Sequence, residues 1–340
     1  MPGYYFNLPQ ITELTISQQS ALGATRCFAL SGGPGTGKSV VSLFRHITNY
    51  AENNKRSLLL TYTTTLQCYL KACCRSRNAN AAGAVRTSLK GKPTRSESWD
   101  EIIIDEAQDL SEDYYSGLSG KKVSYGADDG QILYPANCCT QAQLRRIFSG
   151  NEEFTLDRNF RNSRRIMEFC KRAFPQARIS DRDIAQCRVV GEKPTLIGRG
   201  GKPYEQTNQV QNNAIIQIII NFRSDTHNIA ILVPWQKHVD LFSDVLNQNG
   251  VPHTWYKCDD YSNGTGCTDI SNVHITTFKS AKGLEFDTVI IPNFHNYPSS
   301  CGQFNVEWQD FYVACTRARS NLYLISANSH SELRDVVDVE

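Results

Sequence analysis

The feature that most constrains this chain is a glycine-rich run that ends in a lysine and a hydroxyl residue. The run matches the pattern G-x-x-x-x-G-K-[ST], follows an apolar segment and opens a segment with helical periodicity. Glycines allow backbone conformations in which several amide groups point at phosphate oxygens, and a helix that begins here adds the positive end of its dipole. The sequence therefore predicts a phosphate-binding loop formed by Gly32, Gly33, Pro34, Gly35, Thr36, Gly37, Lys38 and Ser39.

The loop and a second run together supply the groups that a nucleotide site needs. Lys38 is expected to reach the β- and γ-phosphates, and Ser39 to place its hydroxyl on Mg²⁺. Three isoleucines at positions 102–104 predict a strand buried on both faces, and two carboxylates follow it directly. Asp105 is expected to hold Mg²⁺, directly or through water, and Glu106 to polarise the water that attacks the γ-phosphate. An acidic turn after a strand is the simpler alternative, which the neighbouring phosphate loop disfavours.

Short apolar runs alternate with helical stretches along the whole chain, which is typical of parallel α/β sheets. The length of 340 residues exceeds what one hydrophobic core usually supports, so two domains are expected. We place their boundary between residues 150 and 151, which gives domains 1–150 and 151–340. The predicted strands are residues 27–30, 58–60, 102–104, 123–126, 229–233, 273–276, 289–291 and 322–325.

Composition excludes several classes of protein. Hydrophobic residues make up 40% and charged residues 21%, which is typical of a globular chain rather than a disordered one. A net charge of +2 does not by itself indicate a nucleic-acid-binding protein. The sequence shows no signal-peptide pattern and no apolar window long enough to span a bilayer, so we expect a cytoplasmic protein. The twelve cysteines are adjacent or scattered and contain no C-x-x-C, which favours reduced thiols over a zinc site.

Residues 105–110, with the sequence Asp-Glu-Ala-Gln-Asp-Leu, are similar to the second motif of the UvrD/Rep/PcrA helicases of superfamily 1. Other segments follow in the order that this family keeps, from about Leu14 to Leu324. The resemblance implies an α/β fold of two RecA-like parallel-sheet domains, a P-loop NTPase with ATP and Mg²⁺ in the cleft between them. The first, domain 1A, would carry the Q motif, Walker A, motif Ia, Walker B and motif III. The second, domain 2A, would carry motifs IV, V and VI.

In the first domain, two glutamines match family positions. Gln18, within residues 14–19, would read adenine through its amide, although a surface residue or a helix cap is the simpler interpretation. Residues 126–134 resemble motif III, where Asp128 matches the acidic position and Gln131 matches the glutamine that senses the γ-phosphate. Gly130 departs from the family, which usually has a second Asp there. A second departure follows Tyr134, because Pro135-Ala136 stand where the family has a stacking aromatic.

In the second domain, the resemblance points to residues that approach the nucleotide. Within residues 156–163, Phe160 would pack on adenine and Arg161 would approach the γ-phosphate. Within residues 277–286, Gly283 and Glu285 would face the nucleotide, with Glu285 accepting hydrogen bonds from the ribose hydroxyls. Arg317, in residues 311–319, matches the arginine finger that stabilises charge in the transition state, whereas a lone helical arginine is more often a surface charge.

Contacts to single-stranded DNA are implied by the same comparison. Tyr62 lies in residues 61–64, which resemble motif Ia, and would stack on a base or pack as a strand-end aromatic. Lys279 replaces the usual histidine of motif V and would contact a phosphate. A basic stretch between motif Ia and the second motif would track phosphates or form a solvated face, and consists of Lys71, Arg75, Arg77, Arg86, Lys90, Lys92 and Arg95. RNA remains a third option, because these motifs do not separate the two polymers sharply.

Two functions from different classes follow from these patterns. The first is an ATP-hydrolysing translocase or helicase acting on single-stranded DNA. The second is an ATP-gated regulatory NTPase that controls a partner such as a nuclease or toxin, for example in bacterial anti-phage defence. Little room for a large insertion remains between Thr61 and Asp105, and the second domain also looks too short for the family's second insertion. This compact form motivates the second function.

Overall fold

The computed structural model describes residues 3–5, 8–52, 54–132, 137–198, 204–257, 270–303 and 306–340. The chain forms two compact units. The first unit is Phe6–Asn159, and the second unit combines Met1–Tyr5 with Phe160–Glu340. The division falls beyond the expected boundary at 150–151, because residues 152–155 form a strand that pairs with the first sheet. The Pro135-Ala136 departure lies outside the described residues.

The first unit is built on a six-stranded sheet in the order β3-β2-β4-β5-β1-β6. Every described pairing in it is parallel. The strands are β1 (Phe28–Ser31), β2 (Ser57–Thr61), β3 (Val85–Thr87), β4 (Glu101–Ile104), β5 (Val123–Gly126) and β6 (Glu152–Thr155). The helices are α1 (Ile16–Leu22), α2 (Lys38–Ala51), α3 (Thr64–Arg75), α4 (Ala79–Gly83), α5 (Glu112–Ser116) and α6 (Gln141–Ile147).

Sequence signals account for the central elements of this unit. Strands β2 and β4 are buried along their whole length because helices cover both faces of the sheet, which suits their leucine and isoleucine runs. Side-chain oxygens accept hydrogen bonds from the first turns of α1, α3, α4, α5 and α6 and so define where those helices begin. Between Thr61 and Asp105 the chain forms α3, α4, β3 and a connection to β4.

The second unit contains a seven-stranded sheet in the order β13-β7-β12-β11-β8-β10-β9, again with parallel pairings throughout its described part. Its strands are β7 (Thr195–Gly198), β8 (Ile229–Val233), β9 (Thr254–Tyr256), β10 (Val273–Thr277), β11 (Phe286–Ile291), β12 (Ala318–Ser326) and β13 (Asp338–Val339). Its helices are α7 (Arg164–Ala173), α8 (Asp181–Ala185), α9 (Tyr204–Phe222), α10 (Gln236–Gln248) and α11 (Trp308–Cys315).

The most apolar window of the sequence lies in α9. Ile215 and Ile219 on this helix are fully buried in the core of the second unit, against strands β8 and β10. Across the described part of the chain, no helix is both long and apolar enough to cross a membrane.

The two units are RecA-like parallel α/β sheets, as the sequence predicted.

Candidate functional site

The loop after β1 has a backbone that only glycine adopts easily. Gly32, Gly35 and Gly37 have φ angles of 141°, 72° and 90°. A Cβ on Gly32 would lie 2.2 Å from the carbonyl oxygen of Leu156, and one on Gly37 would lie 2.4 Å from Nε2 of Gln18. Gly37 is also the N-cap of α2, so the amide groups of the first helical turn open onto the loop. The loop therefore has the shape of an anion-binding cradle.

Lys38 is folded back over this cradle. Its Nζ donates to the carbonyl oxygens of Gly32 and Gly33 at 2.6 and 3.0 Å, and lies 3.7 Å from Oδ2 of Asp128. The side chain is only 7% exposed. The lysine is thus held at the loop by oxygen atoms, which a phosphate group can replace.

Asp105 emerges from β4 with a carboxylate that is almost completely buried. Burial raises its pKa to about 7, the negative charge of Glu106 adds to this, and Ser39 and Lys38 act in the opposite direction. Ser39 hydrogen bonds to the carboxylate. The other oxygen, Oδ2, has no hydrogen-bond partner among the described protein atoms. A divalent cation supplies the positive charge that this carboxylate lacks, so Ser39 and Asp105 fit Mg²⁺, a hard ion that prefers oxygen ligands.

Glu106 is the start of a hydrogen-bonded network. Its backbone is left-handed, with φ 57°, a conformation that costs about 1–3 kcal/mol in a non-glycine residue and often marks functional sites. Gln108 donates through Nε2 to the Glu106 carboxylate at 2.6 Å and accepts from the amide of Asp128 at 3.1 Å. Asp128 in turn accepts from Nε2 of Gln131 at 2.6 Å. The network joins Glu106 to Gln131, and through Asp128 to Lys38.

Gln108 is a residue that sequence reasoning missed. It is fully buried, and its amide links the Glu106 carboxylate to the Asp128 segment. Its position two residues after Glu106, in the motif that the resemblance had already marked, was the available signal.

Gln18 lies directly against the phosphate loop. Its Nε2 donates to the carbonyl oxygen of Thr36 at 2.9 Å. Its Oε1 accepts from the amide of Thr15 at 2.9 Å, which completes a capping box at the start of α1. The residue is therefore a buried helix cap and a loop contact at once, rather than a surface residue.

A cluster of arginines surrounds Glu285 in the second unit. Nε of Arg161 lies 3.1 Å from one carboxylate oxygen, and Nη1 of Arg319 lies 3.7 Å from the other. Arg319 also lies 3.8 Å from Asp287. Burial alone raises the pKa of Glu285, but Arg161 and Arg319 outweigh it and hold the pKa below its ordinary value. Sequence reasoning missed Arg319, which lies two positions after the matched arginine.

Arg317 lies at the junction of α11 and β12, next to this cluster. Its Nε donates to the carbonyl oxygen of Val313 at 3.0 Å and its Nη1 to that of Leu284 at 3.3 Å. The side chain has no exposed surface, so it is not the solvated surface charge that a lone arginine usually is. Gly283, with φ 82°, forms the turn before β11, and the half-buried Phe160 opens the main part of the second unit.

The expected nucleic-acid contacts are mostly engaged with the protein itself. Tyr62 is half-buried and packs against the apolar core at the end of β2. Nζ of Lys279 lies 3.8 Å from Oδ2 of the buried Asp310, whose pKa is raised to about 6 by burial, with Lys279 acting in the opposite direction.

The basic stretch is also partly engaged. Arg86 pairs with Glu97 at 3.1 Å, and Lys92 donates to the carbonyl oxygen of Tyr114 at 2.8 Å. The guanidinium of Arg77 lies 5.0 Å from the ring centroid of Phe44. Lys71, Arg75, Lys90 and Arg95 are the remaining basic residues of the stretch.

Two family models match this chain. The Schlafen group 3 DNA/RNA helicase domain matches residues 25–186, and the UvrD-like helicase C-terminal domain matches residues 259–329. Both units of the chain are therefore similar to helicase domains. The first match covers the phosphate loop and both carboxylates after β4, and the second covers Glu285 and Arg317.

The known proteins that this chain resembles are distant from it in sequence. An Acanthamoeba polyphaga mimivirus protein named for ATP-dependent DNA helicase activity is 23% identical, over 84% of this chain and 44% of its own length. RecB of the Chlamydia pneumoniae RecBCD enzyme is 39% identical over 56 residues, which are 16% of this chain and 5% of RecB. The PRRSV helicase structure is 15% identical with a TM-score of 0.49, and the match covers 93% of this chain and 55% of that one. The chain spans less than half the length of the curated relatives it matches.

Proposed function

We propose that this chain is an ATP-dependent nucleic-acid motor that hydrolyses ATP with Mg²⁺ and moves along single-stranded DNA. The observation that carries the proposal is the arrangement around Asp105. Its buried carboxylate contacts Ser39, lies beside the loop that holds Lys38, and keeps one oxygen without a protein donor. Such a site suits a divalent cation bound together with phosphate oxygens.

The described residues of the first unit have separate tasks in this reaction. The loop amides and Lys38 bind the triphosphate, and Lys38 exchanges the carbonyl oxygens of Gly32 and Gly33 for phosphate oxygens. Mg²⁺, held by Ser39 and Asp105, would neutralise charge on the phosphate oxygens. Glu106, held by Gln108, accepts a proton from the attacking water.

The proposal assigns the second unit the remaining nucleotide contacts. Arg161 and Arg317 stabilise charge on the transferred phosphoryl group, since a planar guanidinium matches phosphate oxygens. Glu285 accepts from the ribose hydroxyls, Gly283 lies beside it, and Phe160 packs on the adenine that Gln18 reads. Gln131 reports the γ-phosphate to Asp128 and the rest of its network.

Support for the polymer comes from the carboxyl edge of the second sheet. Strands β8, β10 and β9 are neighbours, and Trp235, Lys279 and Lys257 follow directly after or close behind them. Nζ of Lys237 lies 5.7 Å from the ring centroid of Trp235. An aromatic ring beside a lysine is suited to stacking on a base while the ammonium group approaches a phosphate.

The test is steady-state ATP hydrolysis with single-stranded DNA, single-stranded RNA or no polymer. We expect hydrolysis by the wild-type protein to rise with single-stranded DNA and to be lost in Lys38→Ala. Glu106→Gln should lower kcat by about 10²–10⁴-fold, because it removes the proton acceptor, and should still bind ATP. A Glu106→Gln protein with near wild-type kcat contradicts the assignment of the base. A wild-type protein that does not hydrolyse ATP contradicts the whole proposal.

A second candidate function is an ATP-gated regulator of a partner such as a nuclease or toxin. The internal contacts of Arg77, Arg86 and Lys92 favour it, since they leave fewer cations for a phosphate track. In that case the rate of ATP hydrolysis changes when the partner protein is added. It does not change when single-stranded DNA or RNA is added. Stimulation by RNA alone would instead move the substrate from DNA to RNA.

A further inference from the structure

The first described residues of the chain pack on the second unit. We call residues 3–5 the N-terminal strap. The amide of Tyr4 donates to the carbonyl oxygen of Ile270 at 2.8 Å. The amide of Tyr5 donates to Oδ1 of Asn228 at 2.9 Å, and Nδ2 of Asn228 donates back to the carbonyl oxygen of Tyr5 at 2.8 Å. Gly3 forms an antiparallel bridge with Ser271.

The strap crosses the amino edge of three neighbouring strands. Ile270 precedes β10, Asn228 precedes β8, and the third contact is with Glu285, which precedes β11. These strands are adjacent in the order β11-β8-β10. The strap therefore lies along one continuous edge of the sheet, at the end where Glu285 and its arginines are found.

Tyr4 makes the contact that reaches this cluster. Its hydroxyl donates to the main-chain carbonyl of Glu285, and its ring meets the edge of Phe286 with centroids 5.8 Å apart and planes at 78°. The side chain is 6% exposed. Tyr4 thus fixes the main chain of the residue whose carboxylate pairs with Arg161 and Arg319.

Both passages of the chain between the units lie close in sequence to a residue that contacts Glu285. One passage follows Tyr5, directly after the residue that bonds to the Glu285 carbonyl. The other lies between Asn159 and Phe160, directly before Arg161, which pairs with the Glu285 side chain. Glu285 therefore contacts a residue within two positions of each passage.

We propose that Tyr4 is a positioning residue for the nucleotide, which orients Glu285 toward the ribose by holding its main-chain carbonyl. The inference rests on the proposed function, since Glu285 is assigned to the ribose there. Loss of the hydroxyl frees the 285 main chain while the ring still packs on Phe286. A single hydrogen bond of this kind corresponds to an effect of about two- to tenfold.

The experiment compares Tyr4→Phe with Tyr5→Phe in the full chain. Tyr5 is the matched control, because its main chain makes the strap contacts while its side chain is 42% exposed. We measure kcat and KM for ATP and for 3′-deoxy-ATP, which lacks a ribose hydroxyl. In Tyr4→Phe we expect KM for ATP to rise about two- to tenfold with kcat nearly unchanged, and discrimination against 3′-deoxy-ATP to fall. Tyr5→Phe should match the wild type.

A double variant separates positioning from a general loss of structure. If Tyr4 acts through Glu285, the double variant Tyr4→Phe/Glu285→Gln should discriminate against 3′-deoxy-ATP to the same extent as Glu285→Gln alone. The inference is overturned if Tyr4→Phe behaves like Tyr5→Phe, or if its KM rises with discrimination intact. A wild-type protein that neither binds nor hydrolyses ATP ends the proposed function itself, which is a different result from a hydrolysing protein that is indifferent to Tyr4.

Discussion

At the scale of single residues, Asp105 concentrates the electrostatic cost of the nucleotide site. Its carboxylate is buried beside Glu106, and burial raises its pKa to about 7. A carboxyl group with a raised pKa in the folded state favours folding below its unfolded pKa, near 4, and this contribution is lost as the pH rises through about 7. Ionisation of Asp105 is therefore unfavourable in the nucleotide-free protein.

We predict that Asp105→Asn removes this pH dependence. The difference in Tm between the wild type and Asp105→Asn should be small near pH 4 and should grow in favour of the variant toward about pH 8. Adding ATP with Mg²⁺ should raise the Tm of the wild type and have little effect on the variant. Thermal unfolding across this range measures both effects. A difference that stays flat with pH would show that Asp105 is already ionised and compensated without a cation.

Some residues of the candidate site could be predicted from the sequence, and others could not. Lys38, Ser39, Asp105 and Glu106 stand in local motifs whose strand and helix contexts are also local, so their grouping was predictable. Gln108 and Arg319 were missed because their roles depend on contacts with Asp128 and Glu285, which are distant in sequence. The proximity of Tyr4 to Glu285 carries no sequence signal at all, since 281 positions separate them.

At the scale of secondary-structure elements, α2 and β4 are joined by a buried polar network. Arg45 on α2 lies 3.0 Å from the Glu101 carboxylate at the start of β4, and Asn49 donates to the same carboxylate at 2.8 Å. Arg45 also donates to the carbonyl oxygen of Ala24 at 2.7 Å. The helix that carries Lys38 and the strand that ends at Asp105 are thereby fixed to each other at the edge opposite the phosphate loop.

We predict that Arg45→Met destabilises the first unit by about 3–5 kcal/mol, because it leaves the Glu101 carboxylate buried without its counter-charge. Urea unfolding of the full chain measures the loss. The double variant Arg45→Met/Glu101→Gln should regain part of it, since the uncompensated charge is gone. If the double variant is less stable than the single one, the pair is not the source of the destabilisation.

The strands that the sequence predicted are those in the middle of each sheet. All eight expected runs form strands, because central parallel strands are buried on both faces and consist of apolar residues. The missed strands β3, β6, β9 and β13 are sheet edges, and β7 lies next to β13. Edge strands bury less surface and tolerate polar residues, as in β6, where Glu152 and Glu153 are partly exposed. Their pairing depends on a neighbour that local patterns do not reveal.

At the scale of the whole molecule, the second unit assigns its two proposed tasks to opposite edges of one sheet. Glu285 and Arg317 lie at the amino ends of β11 and β12, whereas Trp235 and Lys279 lie beyond the carboxyl ends of β8 and β10. We therefore expect nucleotide chemistry and polymer binding to be separable by mutation within this unit.

We predict that Lys279→Ala and Lys237→Ala each weaken single-stranded DNA binding. Each variant should also reduce the slope of log K against log[salt] by about 0.7, because a protein that makes one phosphate contact fewer releases fewer counterions when it binds. Lys171→Ala is the matched control, since this lysine lies on α7 and pairs with Asp181. Arg161→Ala should bind the polymer normally while hydrolysis falls. Fluorescence anisotropy over a salt series measures the slopes. If Lys279→Ala and Lys237→Ala had the same slope as the wild type and Lys171→Ala, the carboxyl edge would not be part of the polymer surface.

The two passages between the units also affect how the protein is made. Because residues 1–5 and 160–340 form one unit, the first unit is an insertion within the second. During synthesis residues 6–159 are complete and able to fold before the ribosome has made any partner for Tyr4. The strap can therefore pack only after the second unit has been synthesised. A fragment of residues 160–340 produced alone would lack the Tyr4 ring that covers Phe286 and the Tyr5 main chain that bonds to Asn228.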